Sequence, residues 1–351
     1  MRYMTFGRNT GLRVSEYGLG TANFGTLWGG GANPEEARKI FERFAEAGGT
    51  LIDTADNYQI GESEKLLGEF LAADRDHFVV TTKFSLGATR PRISNTGNSR
   101  KNIRTSVEAS LKRLRTDYID VYWAHMPDSV TPVEEILAAL DDLVRAGKIL
   151  HAGLSNFPAW RVSRAATLAE LRGLNRLVGI QLEYSLAERG ADRELLPMAE
   201  GLGLGTAMWS PLGGGLLTGK YRQSRRGRLS DWEGLAIRLE DSDQRTEIID
   251  AVLAIAEETG VSAAQVSIAW LRARAAKAAT AMVPIIGPRT AGQLDDYLGA
   301  LDITLDDAQF GRLEQASAPR LGQPYELMAG HLDSVLGRES LHFNHPNTPV
   351  A

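Results

Sequence analysis

The chain has 351 residues, 43% of them hydrophobic and 24% charged, the balance of a soluble globular protein with ample material for a core. A formal net charge of −5 argues against nucleic acid or an anionic membrane surface as the main partner. The absence of cysteine excludes a disulfide, a thiolate metal site and a cysteine nucleophile, and fits a reducing compartment.

The N-terminal stretch MRYMTFGRNTG has no apolar run of the kind found in secretory signals, so a cytoplasmic location is expected. Two short runs, YMTF and LRVSEYGLG, flank the turn residues Asn9, Thr10 and Gly11 and read as a β-hairpin. A strand through Gly20 and Thr21 follows. Asn33 then stands as N-cap, with Pro34 at the first helical position and Glu36 at the third. Ala37, Ile40, Phe41, Phe44 and Ala45 form one apolar stripe at helical spacing, and Gly48 and Gly49 end the helix.

The alternation repeats. Strand-like runs occur at 50–55, 78–84, 118–125, 150–157, 178–184, 205–210 and 281–286. Segments of helical period lie between them, at about 62–73, 100–115, 132–146, 159–172, 192–202 and 245–278. Thr131-Pro132-Val133-Glu134 and Ser262-Ala263-Ala264-Gln265 have capping-box spacing. With the strand at 18–22 this makes eight strand–helix units, which predicts a closed (β/α)₈ TIM barrel of the α/β class. The uncharged run 201–218 contains six glycines and a proline, so it reads as strand plus loop and not as a spanning helix.

No linker divides the chain, and a single domain over 1–351 is expected. A long loop after the seventh barrel strand (213–244) and a C-terminal tail (319–351) exceed the bare barrel and are expected over its mouth. The loop carries a basic run, Arg222, Arg225, Arg226 and Arg228, that reads better as solvated surface than as a phosphate grip. His342 and His345 sit three apart in the tail without a completing carboxylate, and no metal is expected.

Barrels of this kind place their chemistry at the C-terminal ends of the strands. Asp53, Lys83 and His125 fall at three successive strand ends, and Tyr58 lies just beyond the first. Singly, each has a plain reading as a cap, a solvated charge, a packing ring or a structural histidine. Together they are chemically coherent. An ammonium beside a phenol brings its pKa toward the working range, a carboxylate orients that ammonium, and an imidazole polarises a carbonyl oxygen. No G-x-G-x-x-G follows a first strand, which disfavours a Rossmann domain.

At these residues the sequence resembles the aldo-keto reductase superfamily, over Met4 to about Ser317. The matching blocks are GLGTANFG (18–25), LIDTADNYQIGESEKLLG (51–68), TTKF (81–84), LKRLRTDYIDVYWAHMPD (111–128), GLSNF (153–157), QLEYSL (181–186), WSPLGGGLLTGKY (209–221) and PIIGPRT (284–290). The look is of the bacterial aldehyde and ketone reductase branch, related to the potassium-channel β-subunits. The resemblance implies NADPH-dependent, reversible reduction of an aldehyde or ketone. Tyr58 would be the general acid, Lys83 and Asp53 its tuners, and His125 the carbonyl orienter.

It also implies NADP(H) contacts. Gly20, Thr21, Ala22 and Asp53 would border the cofactor, with Ser155, Asn156 and Gln181 at the carboxamide and Trp209 against the nicotinamide ring. Ser210, Leu212, Gly213 and Gly215 would wrap the pyrophosphate, assisted by Lys220. Gly287, Arg289 and Gln293 would hold the adenosine end, with Arg289 facing the 2′-phosphate, where a guanidinium has an independent rationale. Tyr297 departs from the family, which often has Asn there. A small-molecule carbonyl substrate would meet Asn23, Phe24, Trp28, Tyr58, His125 and Met126, with Phe24 and Trp28 forming an apolar wall suited to an aromatic ring. The loop 85–99 and the tail would add to that surface. The chain is expected as a monomer or small homo-oligomer.

Two other functions fit parts of the pattern. A barrel isomerase or lyase would use a phosphate site near Gly213–Gly215 and Lys83 as a Schiff-base amine. An NADPH-binding redox-sensing regulatory protein would keep the tetrad without rapid turnover.

Overall fold

The computed structural model describes residues 1–88, 92–222 and 239–337. The first two strands, β1 (Tyr3–Thr5) and β2 (Arg13–Ser15), pair antiparallel with Tyr3 opposite Ser15 and Thr5 opposite Arg13. Eight further strands follow: β3 (Gly18–Gly20), β4 (Leu51–Asp53), β5 (Val79–Phe84), β6 (Ile119–Ala124), β7 (Ile149–Ser155), β8 (Leu177–Glu183), β9 (Gly205–Trp209) and β10 (Met282–Ile286). They pair in parallel in chain order, and β10 pairs with β3 to close a barrel. Closure satisfies every strand's ladder and leaves no edge.

Parallel neighbours need long crossovers, and helices supply them. These are α1 (Pro34–Glu46), α2 (Glu62–Phe70), α3 (Arg100–Leu114), α4 (Val133–Arg145), α5 (Ala159–Leu171) and α6 (Leu195–Leu202). Then come α7 (Asp243–Thr259), α8 (Ala263–Lys277), α9 (Ala291–Gly299), α10 (Asp307–Ala316) and α11 (Tyr325–Leu336). The Asn33 side chain accepts from the Glu36 N–H as its cap position predicts. Ser262 and Gln265 form a reciprocal capping box, so the helical stretch 245–278 is two helices, split after Gly260.

The box expected at Thr131 does not form. Its hydroxyl donates to Asp128 at 2.6 Å, Pro132 takes the cap position, and Glu134 pairs with Arg164. A nearer acceptor has outbid the helix end.

Two apolar layers result. Leu51, Val79, Val121, Trp123, Val178, Val283 and Ile285 fill the barrel, while a larger set seals helices onto strands. The hairpin closes the N-terminal end: Phe6 meets Trp123 edge-on with ring centres 6.1 Å apart, and Gly7 bridges to Leu204 just before β9. The opposite end, where the strands finish, is left for chemistry.

The tail begins a helix that the sequence did not announce. Arg193 donates to the Gln323 carbonyl at 3.0 Å and the Tyr325 hydroxyl donates to Glu194 at 2.8 Å, which moors α11 to the start of α6. Arg225, Arg226 and Arg228 of the loop, and His342 and His345 of the tail, lie outside the described residues. Among the described residues no helix is long and apolar enough to cross a membrane.

Candidate active site

Strand register builds the centre of the site. Asp53 ends β4 opposite Thr81 of β5, and alternation along β5 turns Thr81 and Lys83 to the same inward face. The Lys83 ammonium donates to Asp53 Oδ2 at 2.6 Å, to the Thr54 carbonyl at 2.7 Å and to the Tyr58 hydroxyl at 3.1 Å. All three of its protons are thereby used. Asp53 Oδ1 accepts from the Thr81 hydroxyl at 2.7 Å and from the Gln181 amide at 2.8 Å. His125 follows β6, its N–H donating to the Phe84 carbonyl, and its ring stands edge-on to Tyr58 with centres 6.0 Å apart.

Lys83 is wholly buried, yet it keeps its charge. Burial alone pushes its pKa down, but Asp53 and Tyr58 more than offset that and hold it above the ordinary lysine value. Tyr58 departs from the sequence expectation of a lowered pKa. Burial raises it more than the Lys83 charge lowers it, so the phenol stays protonated while a cation waits at its oxygen. Burial, and secondarily Lys83, drive His125 well below the usual histidine value, so its ring is neutral. Its Nδ1 is buried with no hydrogen-bond partner among the described residues.

The next three strand ends carry the other expected residues. Asn156, just past β7, donates to the His125 carbonyl and to Ser155 Oγ, both at 3.0 Å. It also accepts from the Trp209 indole at 3.1 Å. Ser155, Asn156, Gln181 and Trp209 thus form one chain of contacts leading from β9 back to Asp53.

Beyond Trp209 a cleft opens. The loop after β9 lines it with Ser210, Pro211, Leu212, Gly214, Gly215 and Lys220, and β10 and α9 add Ile286, Gly287, Arg289, Gln293 and Tyr297. Gly215 has φ +97, which calls for glycine on backbone grounds; a Cβ there would also fall 2.8 Å from Lys220 Nζ, the movable end of a flexible side chain. Gln293 accepts from the Arg289 N–H at 2.8 Å and fixes the backbone that carries the guanidinium. Two cations beside a glycine backbone are a donor set for an anionic, phosphate-bearing ligand. Gly213, expected here, is buried behind the lining, and its neighbour Gly214 takes the place. Arg222 turns away to Glu240 at 2.9 Å and Asp250 at 2.6 Å.

The first strand end is tighter than expected. Gly20 is buried, and Thr21, also buried, donates both its N–H and its hydroxyl to the Asp53 carbonyl. The Ala22 carbonyl accepts from Gln59, and the Asn23 amide donates to the Gly287 carbonyl at 2.9 Å, stapling β3 to β10. Phe24 is a correction: its ring is fully buried against Phe70 in the outer core and offers no wall to a ligand. Trp28 does reach the site, edge-on to Tyr58 with centres 6.0 Å apart. Met126 is 42% exposed beside His125.

Sequence reasoning missed Thr81, Ser63 and Gln59. Thr81 was within reach, since strand alternation puts it on Lys83's face. Ser63 ties Thr21 to Thr54 by hydroxyl contacts of 2.8 and 2.9 Å, which only the folded loop reveals.

Comparison with known proteins agrees with this architecture. The sequence model of the Aldo/keto reductase family matches residues 16–318. A norsolorinic acid reductase of Emericella nidulans is 35% identical over 325 residues, covering 90% of this chain and 81% of that protein. An uncharacterized oxidoreductase of Bacillus subtilis is 38% identical over 316 residues, covering 87% and 93%. An aryl-alcohol dehydrogenase [NADP(+)] of Phanerodontia chrysosporium is 33% identical over 364 residues, covering 98% and 93%. With a closed parallel barrel, a strand-end Asp–Tyr–Lys–His cluster and a family match across most of its length, the chain belongs to the aldo/keto reductase family of oxidoreductases.

Proposed function

We propose that this chain is an NADPH-dependent reductase of aldehydes or ketones, aromatic ones in particular, acting reversibly in the cytoplasm as one barrel domain. The observation that carries the reading is the Lys83 ammonium, saturated by Asp53, Thr54 and the Tyr58 hydroxyl at the open end of the barrel. The name of the Phanerodontia chrysosporium relative supports both the cofactor and the aromatic preference.

Ser155, Asn156, Gln181 and Trp209 would hold the nicotinamide end, the loop from Ser210 to Lys220 the pyrophosphate, and Gly287, Arg289 and Gln293 the adenosine end. When bound, that cofactor supplies the hydride that the protein itself lacks. The chain's own residues manage the proton. Tyr58, protonated at neutral pH, donates to the oxygen that gains charge as the carbonyl is reduced, and Lys83 stabilises the phenolate left behind. Asp53 keeps Lys83 charged and aimed. Neutral His125 can donate an N–H to the same carbonyl oxygen without presenting a competing positive charge.

The same contacts oppose a Schiff-base role for Lys83, which needs a neutral amine; here Asp53 holds it cationic. The test is consumption of NADPH, against NADH, with aromatic aldehydes, sugars and cyclic ketones. Wild type is expected to turn over aromatic aldehydes with NADPH preferred, and Tyr58→Phe to lose about 10²–10⁴-fold in kcat while still binding NADPH. Tight NADPH binding without any turnover would favour the redox-sensing reading instead.

A further inference from the structure

Between Tyr58 and α2 the backbone makes three successive left-handed steps: Gln59 (φ +49), Ile60 (φ +57) and Gly61 (φ +83). Only the last is a glycine. A left-handed residue with a side chain is uncommon and costs free energy, so its side chain calls for an explanation. For exposed Ile60 the structure offers none. For Gln59 it does.

Gln59 is wholly buried and spends both ends of its amide on one loop, the connection between β3 and α1. Nε2 donates to the Ala22 carbonyl at 3.0 Å, and Oε1 accepts from the Trp28 N–H at 2.8 Å. A second side chain from the same turn assists, since Glu62 Oε2 accepts from the Thr26 N–H at 3.1 Å. Gly25 lets the two segments close, because a Cβ there would fall 3.0 Å from Gln59 Cβ and 2.4 Å from Glu62 Oε2. The loop's own backbone bonds tie Gly25 to Ala32 and Gly29 to Thr26, and the Thr26 and Trp28 N–H groups both donate to this turn. The Trp28 ring then stands edge-on to Tyr58.

We propose that Gln59 is a positioning residue that sets substrate selectivity: its amide clamps the Trp28 loop to the turn bearing Tyr58, holding an aromatic wall at a fixed distance from the proton donor. The role rests on the reading of Tyr58 as that donor. A flat aromatic substrate gains from a wall that is already in place, whereas a small aliphatic one touches it little.

The test combines a structural and a kinetic readout. Gln59→Gly keeps the left-handed backbone and removes the amide; Gln59→Asn, whose residue type also tolerates that conformation, shortens the reach and serves if the glycine variant folds poorly. Amide hydrogen exchange at Thr26–Trp28 is expected to quicken about tenfold, with the β4 and β5 amides unchanged. The ratio of kcat/KM for a substituted benzaldehyde to that for propanal is expected to fall about tenfold, through KM, with propanal turnover and the pH profile of kcat retained. In a Trp28→Ala background the same substitution should shift the ratio less than about twofold, because the wall it positions is gone.

Unchanged exchange would overturn the clamp. Faster exchange with an unchanged ratio, or full additivity with Trp28→Ala, would overturn the selectivity role. If the wild type reduces no carbonyl, the reductase reading falls and takes the selectivity role with it, while the exchange result still decides whether the clamp exists.

Discussion

Asp56, two residues before the proposed proton donor, is 2% exposed, and its Oδ1 has no hydrogen-bond partner among the described residues. Burial, then the nearby Glu64 charge, pushes its carboxyl up to about 8, with Arg113 only partly opposing them. The folded protein therefore prefers the protonated form over a range in which the unfolded chain is already ionised. The unfolded chain releases its proton near the ordinary aspartate value of 3.8, so the stabilisation is fully present below that and is lost as pH rises through about 8. Asp56→Asn removes the titration while keeping the shape. Its melting temperature should match wild type near pH 4 and exceed it at pH 9 by on the order of 5 °C. Equal pH slopes for the two proteins, measured by thermal denaturation in a pH series, would show that Asp56 is ionised in the fold. The tetrad has a different character: each of its charges has a partner, and Tyr58 is the group left ready to give up a proton.

The barrel's strands were legible because their apolar runs are bounded by glycine, proline and helix caps, and their ends moved by only a few residues in the structure. Asp53, Lys83 and His125 were legible for the same reason, being reactive residues at the places where such runs stop. What depended on direction within a loop was not. Phe24 looked like substrate wall from its place after β3, but the turn at Asn23 sends its ring outward to Phe70. Gln59 was invisible because its partners lie 37 and 31 residues away in sequence. The tail helix α11 was missed because its apolar periodicity is weak, as fits a helix none of whose residues is buried.

At the level of strand packing, one requirement follows directly. Gly153 of β7 faces Trp123 of β6, and a Cβ there would lie 2.2 Å from the Trp123 ring and 2.8 Å from the Gly179 carbonyl. Gly153→Ala should cost about 1–3 kcal/mol, the range for an overpacked core. Pairing it with Trp123→Leu, which makes room, should recover part of that loss, so the double mutant is expected to fall short of the sum by about 0.5 kcal/mol or more. Additive losses in urea denaturation would mean that the Gly179 carbonyl, not the ring, is the obstacle.

Across the whole molecule the two barrel ends divide their duties. At the N-terminal end the hairpin inserts Phe6, 2% exposed, against Trp123, and Val14 and Leu51 complete the seal. Asp53 lines a small cavity together with Phe6, Val14 and Leu51, but both its carboxylate oxygens are held by Lys83, Thr81 and Gln181 and not by the plug. Phe6→Ala should therefore act on stability alone. It removes a buried ring from a site bounded by closed strands, which can collapse little, and losses for such changes run to about 3–5 kcal/mol. Melting should drop by roughly 5 °C or more, since a chain of this size loses about 2 °C per kcal/mol. At a temperature where both proteins stay folded, kcat/KM should remain within about twofold of wild type, the reverse of the outcome for Tyr58→Phe. A matching fall in kcat/KM at that temperature would show that packing at the barrel floor reaches Asp53 through Val121 and Ile285, and the two ends would then have to be treated as one coupled unit.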